Sequence, residues 1–346
     1  MESYLQQEIL EQPESLNRLI SEERSTIMRV AEAIRHYNPR FIMMAARGSS
    51  DNAARYGQYV FGTLNRMPVA LATPSLYTLY QTPPRMNDAL VIAISQSGQS
   101  PDIVAVVEEG RRQGALTVAI TNQPESPLAL AAQYTIRLHT GPERSVAATK
   151  TYTASLLAIA LLSAAIANND PYLQAIDSVP RFIREVTERS EDIIRASERY
   201  RYMDACVVVS RGYNYATAYE IALKLKELTY ILAEPYSTAD FQHGPVALVA
   251  KGFPVLAVVP QGPLVDEMTD FLAELRGRGA ELVMISAHEP ALNLAQTPLP
   301  LPLNVPEWLS PLVAVVPGQL LALGITLAKG YDIDQPRNIH KVTLTE

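Results

Sequence analysis

The stretch Ala89–Asp102, ALVIAISQSGQSPD, decides how the chain is read. Leu90 to Ile94 is a short apolar run rich in β-branched residues, the pattern of a central parallel strand buried on both faces. It stops at Ser95-Gln96-Ser97-Gly98-Gln99-Ser100, and Pro101-Asp102 then opens an apolar helix. Ser100 or Asp102 is placed as its cap, with proline tolerated in the first turn. Strand, hydroxyl-rich loop and helix N-terminus in that order suit an oxyanion. Free backbone N–H groups and the helix dipole favour negative charge, and the hydroxyls add donors. An ordinary polar connection has the same composition, so the rest of the chain has to decide.

Upstream, Phe41 to Ala46 reads as a strand ending at Arg47-Gly48-Ser49-Ser50-Asp51, with a helix running through Tyr59. Pro68 to Ala72 is a short strand, and Thr73 to Arg85 is polar and proline-containing. Downstream come a strand at Leu116 to Ile120, a short helix opened by Ser126-Pro127-Leu128, and a strand at Tyr134 to Leu138. A long helix is expected from about Ala147 to Ala167. Such alternation predicts an α/β fold with a parallel sheet, whose ligands bind at the carboxyl ends of the strands. Residues 1–38 read as two helices forming an arm, with Ser15 placed to cap one of them. Residues 168–200 are charged and helical, with a break at NNDP.

The pattern then returns. Ala205 to Ser210 ends at Arg211-Gly212, as Phe41 to Ala46 ends at Arg47-Gly48. Pro254 to Val259 ends at Pro260-Gln261-Gly262, where the first half has Ser95-Gln96-Ser97-Gly98. AELVMIS, from Ala280, matches ALTVAIT, from Ala115. Three strand-turn units in one order and at near-constant spacing predict an internal duplication. Only the first copy keeps the serines, and Pro260 and Pro263 remove backbone donors from the second.

Composition narrows the function. The chain has 346 residues, 48% of them hydrophobic, and a net charge of −7, which argues against nucleic acid as a partner. The single cysteine, Cys206, excludes an internal disulfide framework and sits in an apolar run, as a buried structural thiol would. Ala154 to Ala167 is short for a membrane span and reads as a buried helix. The acidic N-terminus lacks a signal-peptide pattern, so a cytoplasmic protein without a membrane partner is expected. The five histidines, His36, His139, His243, His288 and His340, are far apart in sequence, and no metal or other cofactor is expected.

The segment from Tyr215 brings together another group of chemistry-bearing residues. Glu220, Lys224 and Glu227 share one helix face, which is either a solvated ion-paired surface or a site. The otherwise apolar helix and the following Asp240-Phe241-Gln242-His243-Gly244-Pro245 favour a site, because a reachable histidine near a glutamate suits acid–base work. The polar tail from Asp332 carries Lys341, which can form a Schiff base if the tail docks and shields it from water.

Taken in order, these stretches resemble the SIS (sugar isomerase) family, and within it the isomerase half of glucosamine-6-phosphate synthases. The resemblance rests on Glu8-Ile9-Leu10-Glu11-Gln12-Pro13, Ser95-Gln96-Ser97-Gly98, Val146-Ala147-Ala148-Thr149-Lys150, Leu223-Lys224-Leu225-Lys226-Glu227, His243-Gly244-Pro245 and Asp334-Gln335-Pro336-Arg337-Asn338. It implies two tandem SIS domains, at 39–168 and 201–330. Each would be a three-layer αβα, flavodoxin-like parallel sheet with helices on both faces. An arm at 1–38, a connection at 169–200 and a tail at 331–346 complete the chain.

By position, the resemblance implies that Ser49, Ser50, Ser95, Gln96, Ser97 and Ser100 hold a sugar phosphate. Glu227 would move a proton between C1 and C2, with Lys224 assisting. His243 would open the sugar ring and reach across from a neighbouring subunit of a homodimer. Lys341 would form an imine with the open-chain ketose or stabilise it, and Val146, Ala147 and Thr149 would line the sugar pocket. The expected activity is conversion of glucosamine 6-phosphate to fructose 6-phosphate and ammonia. Rival expectations are a fructosamine-6-phosphate deglycase, a synthase-type isomerase without its own glutaminase domain, and a non-catalytic sugar-phosphate sensor. One departure is His340, which stands where the synthases have a small residue beside the tail lysine and is counted with the sugar pocket.

Overall fold

The computed structural model describes residues 3–341. Residues 1 and 2 of the expected arm and 342–346 of the expected tail lie outside the described residues. The described chain folds into two compact units. One is drawn from Gln12–Glu143, Lys150–Pro180 and His340–Glu346, and we call it the serine-loop unit. The other is drawn from Met1–Glu11, Arg144–Thr149 and Arg181–Ile339, and we call it the glutamate unit.

The serine-loop unit is built on a five-stranded sheet of β1 (Phe41–Ala45), β2 (Val69–Leu71), β3 (Ala89–Ile94), β4 (Leu116–Thr121) and β5 (Tyr134–Arg137). The order is β2-β1-β3-β4-β5 and every pairing is parallel. All six residues of β3 and of β4 are buried, as their unbroken apolar runs require. Val91 and Ala93 pack against Ile103, Val106 and Val107 of the helix Pro101–Arg112, closing one face. Helices Gln12–Tyr37, Ser49–Asn65 and Lys150–Ala167 pack together as a further layer.

The glutamate unit repeats this plan with β6 (Ala205–Ser210), β7 (Leu232–Ser237), β8 (Pro254–Val259), β9 (Glu281–Ser286) and β10 (Thr297–Pro300). Its order, β10-β9-β8-β6-β7, is that of the first sheet read from the other edge, and all its pairings are parallel. Both sheets therefore reverse strand order beside their first strand, the position at which open α/β sheets commonly bind ligands. The expected duplication is present at the level of topology.

The sequence reading does not mark β7 or β10, because LAEPYS and TPLP lack a continuous apolar run, and three further details depart from it. Ser15 does not cap a helix, because Gln12–Tyr37 already runs through it; Ser3 caps the preceding helix, Tyr4–Leu10, by accepting from the Gln6 N–H. The long helix begins at Lys150 rather than near Ala147, so Val146 and Ala147 lie in a loop. The cause is Glu143, whose carboxylate accepts from the Thr151 N–H at 3.1 Å and hydroxyl at 2.7 Å and so fixes the first turn. The second apolar helix, Ser310–Lys329, carries Pro317 inside it and was not foreseen. The stretches Lys150–Ala167 and Glu307–Lys329 are long and apolar enough to cross a membrane, yet 89% of the most apolar 18 residues of each is buried inside the fold. Cys206 is buried, and burial pushes its thiol up to about 12.

Candidate functional site

In the serine-loop unit the loops after β1 and β3 flank the strand-order reversal. Gly48, at φ +55°, makes the turn that puts Ser49 and Ser50 in the first turn of the helix Ser49–Asn65. The loop after β3 holds its own shape. Ser95 Oγ accepts from the Gly98 N–H at 3.1 Å, and the Gln96 carbonyl accepts from the Asn122 N–H at 3.2 Å. Gly98, at φ +63°, leaves no room for a side chain: a Cβ there would lie 2.0 Å from Ser126 Oγ. Ser100 is the N-cap of Pro101–Arg112, but its hydroxyl makes no capping bond.

The acid of this helix N-terminus is Asp102, fully buried. One of its carboxylate oxygens accepts from the Ile103 N–H at 2.9 Å. The other accepts from the Arg47 guanidinium at 2.9 Å and 2.8 Å. Arg47 thus cancels a negative charge that would oppose an anion at the loop, and it ties the β1 turn to the β3 helix.

A cleft of about 580 Å³ opens on the serine loop, bordered by Gln96, Ser97, Gln99, Ser126, Arg137 and Lys341. Lys341 Nζ donates to Glu143 Oε2 at 2.6 Å, and the Glu143 side chain is fully buried. The tail lysine and the serine loop therefore share one cleft. His340, beside it, is exposed.

In the glutamate unit the helix Tyr215–Thr229 carries Glu220, Lys224 and Glu227. Glu220 and Lys224 are 0% and 1% exposed, which rules out a solvated surface; Glu227 is 25% exposed and reachable. Lys224 Nζ lies 2.6 Å from Glu227 Oε2 and 3.4 Å from Glu220 Oε1. Burial disfavours its ammonium, but the Glu220 and Glu227 carboxylates outweigh burial and its pKa is raised. The 2.6 Å contact with the buried Lys224 holds Glu227 in a fixed orientation.

His243 is exposed at the C-terminus of the helix Thr238–Gln242, before Gly244 at φ +142°. The structure does not pair it with Glu227. Val146, Ala147 and Thr149 belong to this unit, in the irregular loop Arg144–Thr149.

Sequence reasoning missed Glu143 as the partner of Lys341. The two are 198 residues apart, and no local pattern links them. Sequence reasoning also missed the Arg47–Asp102 pair, for which the local sequence gives no sign.

Among the known proteins that the chain matches is the glutamine–fructose-6-phosphate aminotransferase (isomerizing) of Thermus thermophilus. It is 34% identical over 99% of this chain and 59% of the relative. The enzyme of that name from Thermococcus kodakarensis is also 34% identical, over 99% of this chain and 58% of its own. The chain thus spans a little under three-fifths of the length of these relatives. The C-terminal domain of glucosamine-fructose-6-phosphate aminotransferase from Francisella tularensis superimposes with a TM-score of 0.88 at 27% identity, covering 97% of this chain and 99% of that one. Glucosamine-6-phosphate deaminase from Thermotoga maritima shares the fold, with a TM-score of 0.73 at 20% identity over 96% of this chain and 100% of that one. The SIS domain profile matches twice, at residues 37–165 and 204–324. With both sheets inside those matches, the chain belongs to the SIS domain family.

Proposed function

We propose that the protein is an amino-sugar phosphate isomerase that converts glucosamine 6-phosphate and water to fructose 6-phosphate and ammonia. The observation that carries this reading is the cleft in which Lys341, paired with buried Glu143, stands beside Gln96 and Ser97. An amine beside an anion-binding loop suits a substrate that carries a carbonyl at one end and a phosphate at the other.

The roles are those that the family resemblance implies, and the residue types suit them. Ser49, Ser50, Ser95, Gln96, Ser97 and Ser100 receive the phosphate. His243 moves the proton that opens the ring. Glu227 takes the C2 proton of the open-chain aldehyde and returns it at C1, which turns the C2 amine into a ketimine and C1 into a hydroxymethyl group. Water then adds to the ketimine carbon, ammonia leaves, and the ketone remains. Lys341 binds the open-chain carbonyl, as an imine or through its ammonium, and Val146, Ala147 and Thr149 face the sugar.

A second reading is favoured by the 34% identity to isomerizing aminotransferases, of which this chain spans 59%. It is the same proton transfer run toward glucosamine 6-phosphate, with ammonia as the nitrogen source.

The deciding measurement is ammonia release from glucosamine 6-phosphate alone, coupled to glutamate dehydrogenase. Glu227→Gln should abolish release while sugar-phosphate binding persists; turnover that survives it removes Glu227 as the base. If the unaltered protein releases no ammonia, the deaminase reading falls, and fructose 6-phosphate with ammonia becomes the next substrate pair.

A further inference from the structure

We infer that Glu8 is a positioning residue for hexose recognition, whose buried carboxylate sets the loop Arg144–Thr149. The inference rests on the functional reading above, in which that loop faces the sugar. The loop has no helix or strand of its own, so its shape depends on what grips it.

Glu8 supplies the grip from far away in sequence. It lies on the helix Tyr4–Leu10 and is 4% exposed. One carboxylate oxygen accepts from the Arg144 N–H, and the other accepts from the Ser145 N–H at 3.2 Å and from the Ser145 hydroxyl. The same hydroxyl lies 3.0 Å from the Ala147 carbonyl, to which its single proton can turn in place of Glu8. An ionised carboxylate is tolerated at such burial only when donors surround it, and these three come from two consecutive loop residues.

The helix that carries Glu8 is itself fixed. Leu5 and Ile9 are buried, and the helix packs on Ser310–Lys329 of the same unit. Its first N–H groups, of Tyr4 and Leu5, reach the Asp334 carboxylate at 3.2 Å and 3.4 Å. At the same end the Arg144 guanidinium lies 5.4 Å from the centre of the Tyr4 ring. Apolar packing through Leu5 and Ile9 would hold the helix without any buried charge. The buried carboxylate is matched to the loop, which supplies the three donors named above.

The test compares Glu8→Gln with the unaltered protein in three measurements. Titration with fructose 6-phosphate should show affinity weakened about tenfold, the loss expected from one disrupted charge-assisted hydrogen bond. Titration with inorganic phosphate should show less than about a twofold change, because Ser95–Gly98 is shaped by hydrogen bonds of its own, as such preorganised loops are. Hydrogen exchange at the Ser145 amide in ligand-free protein should accelerate.

Hexose affinity that is unchanged in Glu8→Gln overturns the inference, as does an equal loss for hexose phosphate and inorganic phosphate. Unaltered protein that binds phosphate but no hexose phosphate overturns the functional reading instead. If Glu8→Gln does not fold, Ser145→Ala decides. It leaves both backbone contacts of Glu8 in place, and a weakened hexose phosphate affinity with inorganic phosphate unchanged supports the inference. No change in either overturns it.

Discussion

Lys224 shows how one residue can be both structural and part of a site. Its ammonium is buried between Glu220 and Glu227, and removing it takes away the cation that both carboxylates face. Lys224→Met should therefore destabilise the protein by about 3–5 kcal/mol in denaturant titration. The pKa of Lys224 is raised in the fold. Its contribution is then fully present below the unfolded value of about 10.4 and is lost only as pH rises through the higher folded value. Stability measured from pH 7 to pH 9 should show no change from this group. Gly98 is the opposite case, needed for what it lacks. Gly98→Ala meets both the positive φ and Ser126, so it should cost about 1–3 kcal/mol of local strain and weaken phosphate binding in calorimetric titration. Both residues lay in stretches that the sequence marks, but their environments did not. Spacing puts Glu220, Lys224 and Glu227 on one face, whereas burial depends on what packs there.

At the scale of the element, β1, β3, β4, β6, β8 and β9 were legible because a buried parallel strand is a continuous apolar run, a signal contained in the run itself; β7 and β10 lack such a run and were not. The loops after them were legible for a related reason, since glycines and hydroxyls cluster where strand gives way to helix. Helix beginnings were harder, because their caps came from elsewhere. Lys150–Ala167 starts where Glu143 accepts from Thr151, and no residue next to Lys150 announces it. The helix Ser310–Lys329 escaped notice because it is apolar all round and carries an internal proline, which reads as a breaker. Its packing is close where it matters. A Cβ at Gly318 would lie 2.4 Å from Ile221 on the helix that bears Glu227. Gly318→Val should push the two helices apart, lower the thermal midpoint through about 1–3 kcal/mol of overpacking, and depress turnover more than phosphate affinity.

At the scale of the molecule, the duplication was legible in the spacing of three strand-turn units, and both copies have the same strand order. The copies divide the labour proposed here: anion loop and tail lysine in one unit, acid–base helix in the other. The proposal also includes a homodimer in which His243 serves the partner's site. It predicts that His243→Ala and Glu227→Gln proteins, each inactive alone, recover part of the activity when mixed and allowed to exchange subunits. Light scattering that shows only monomer in active protein, or a mixture that stays inactive, removes the dimer from the proposal.

The two units are not two consecutive lengths of chain. Residues 4–10 pack with residues 310–329 in one unit, while the described parts of 12–180 contribute mainly to the other. A ribosome adding roughly 5–20 residues per second delivers the opening helix some 15–60 s before its partner exists. The serine-loop sheet can close in that interval. Tyr4–Leu10 meets the helix it packs on only once residues 310–329 have emerged, so a helix made before the serine-loop sheet finds its place after it.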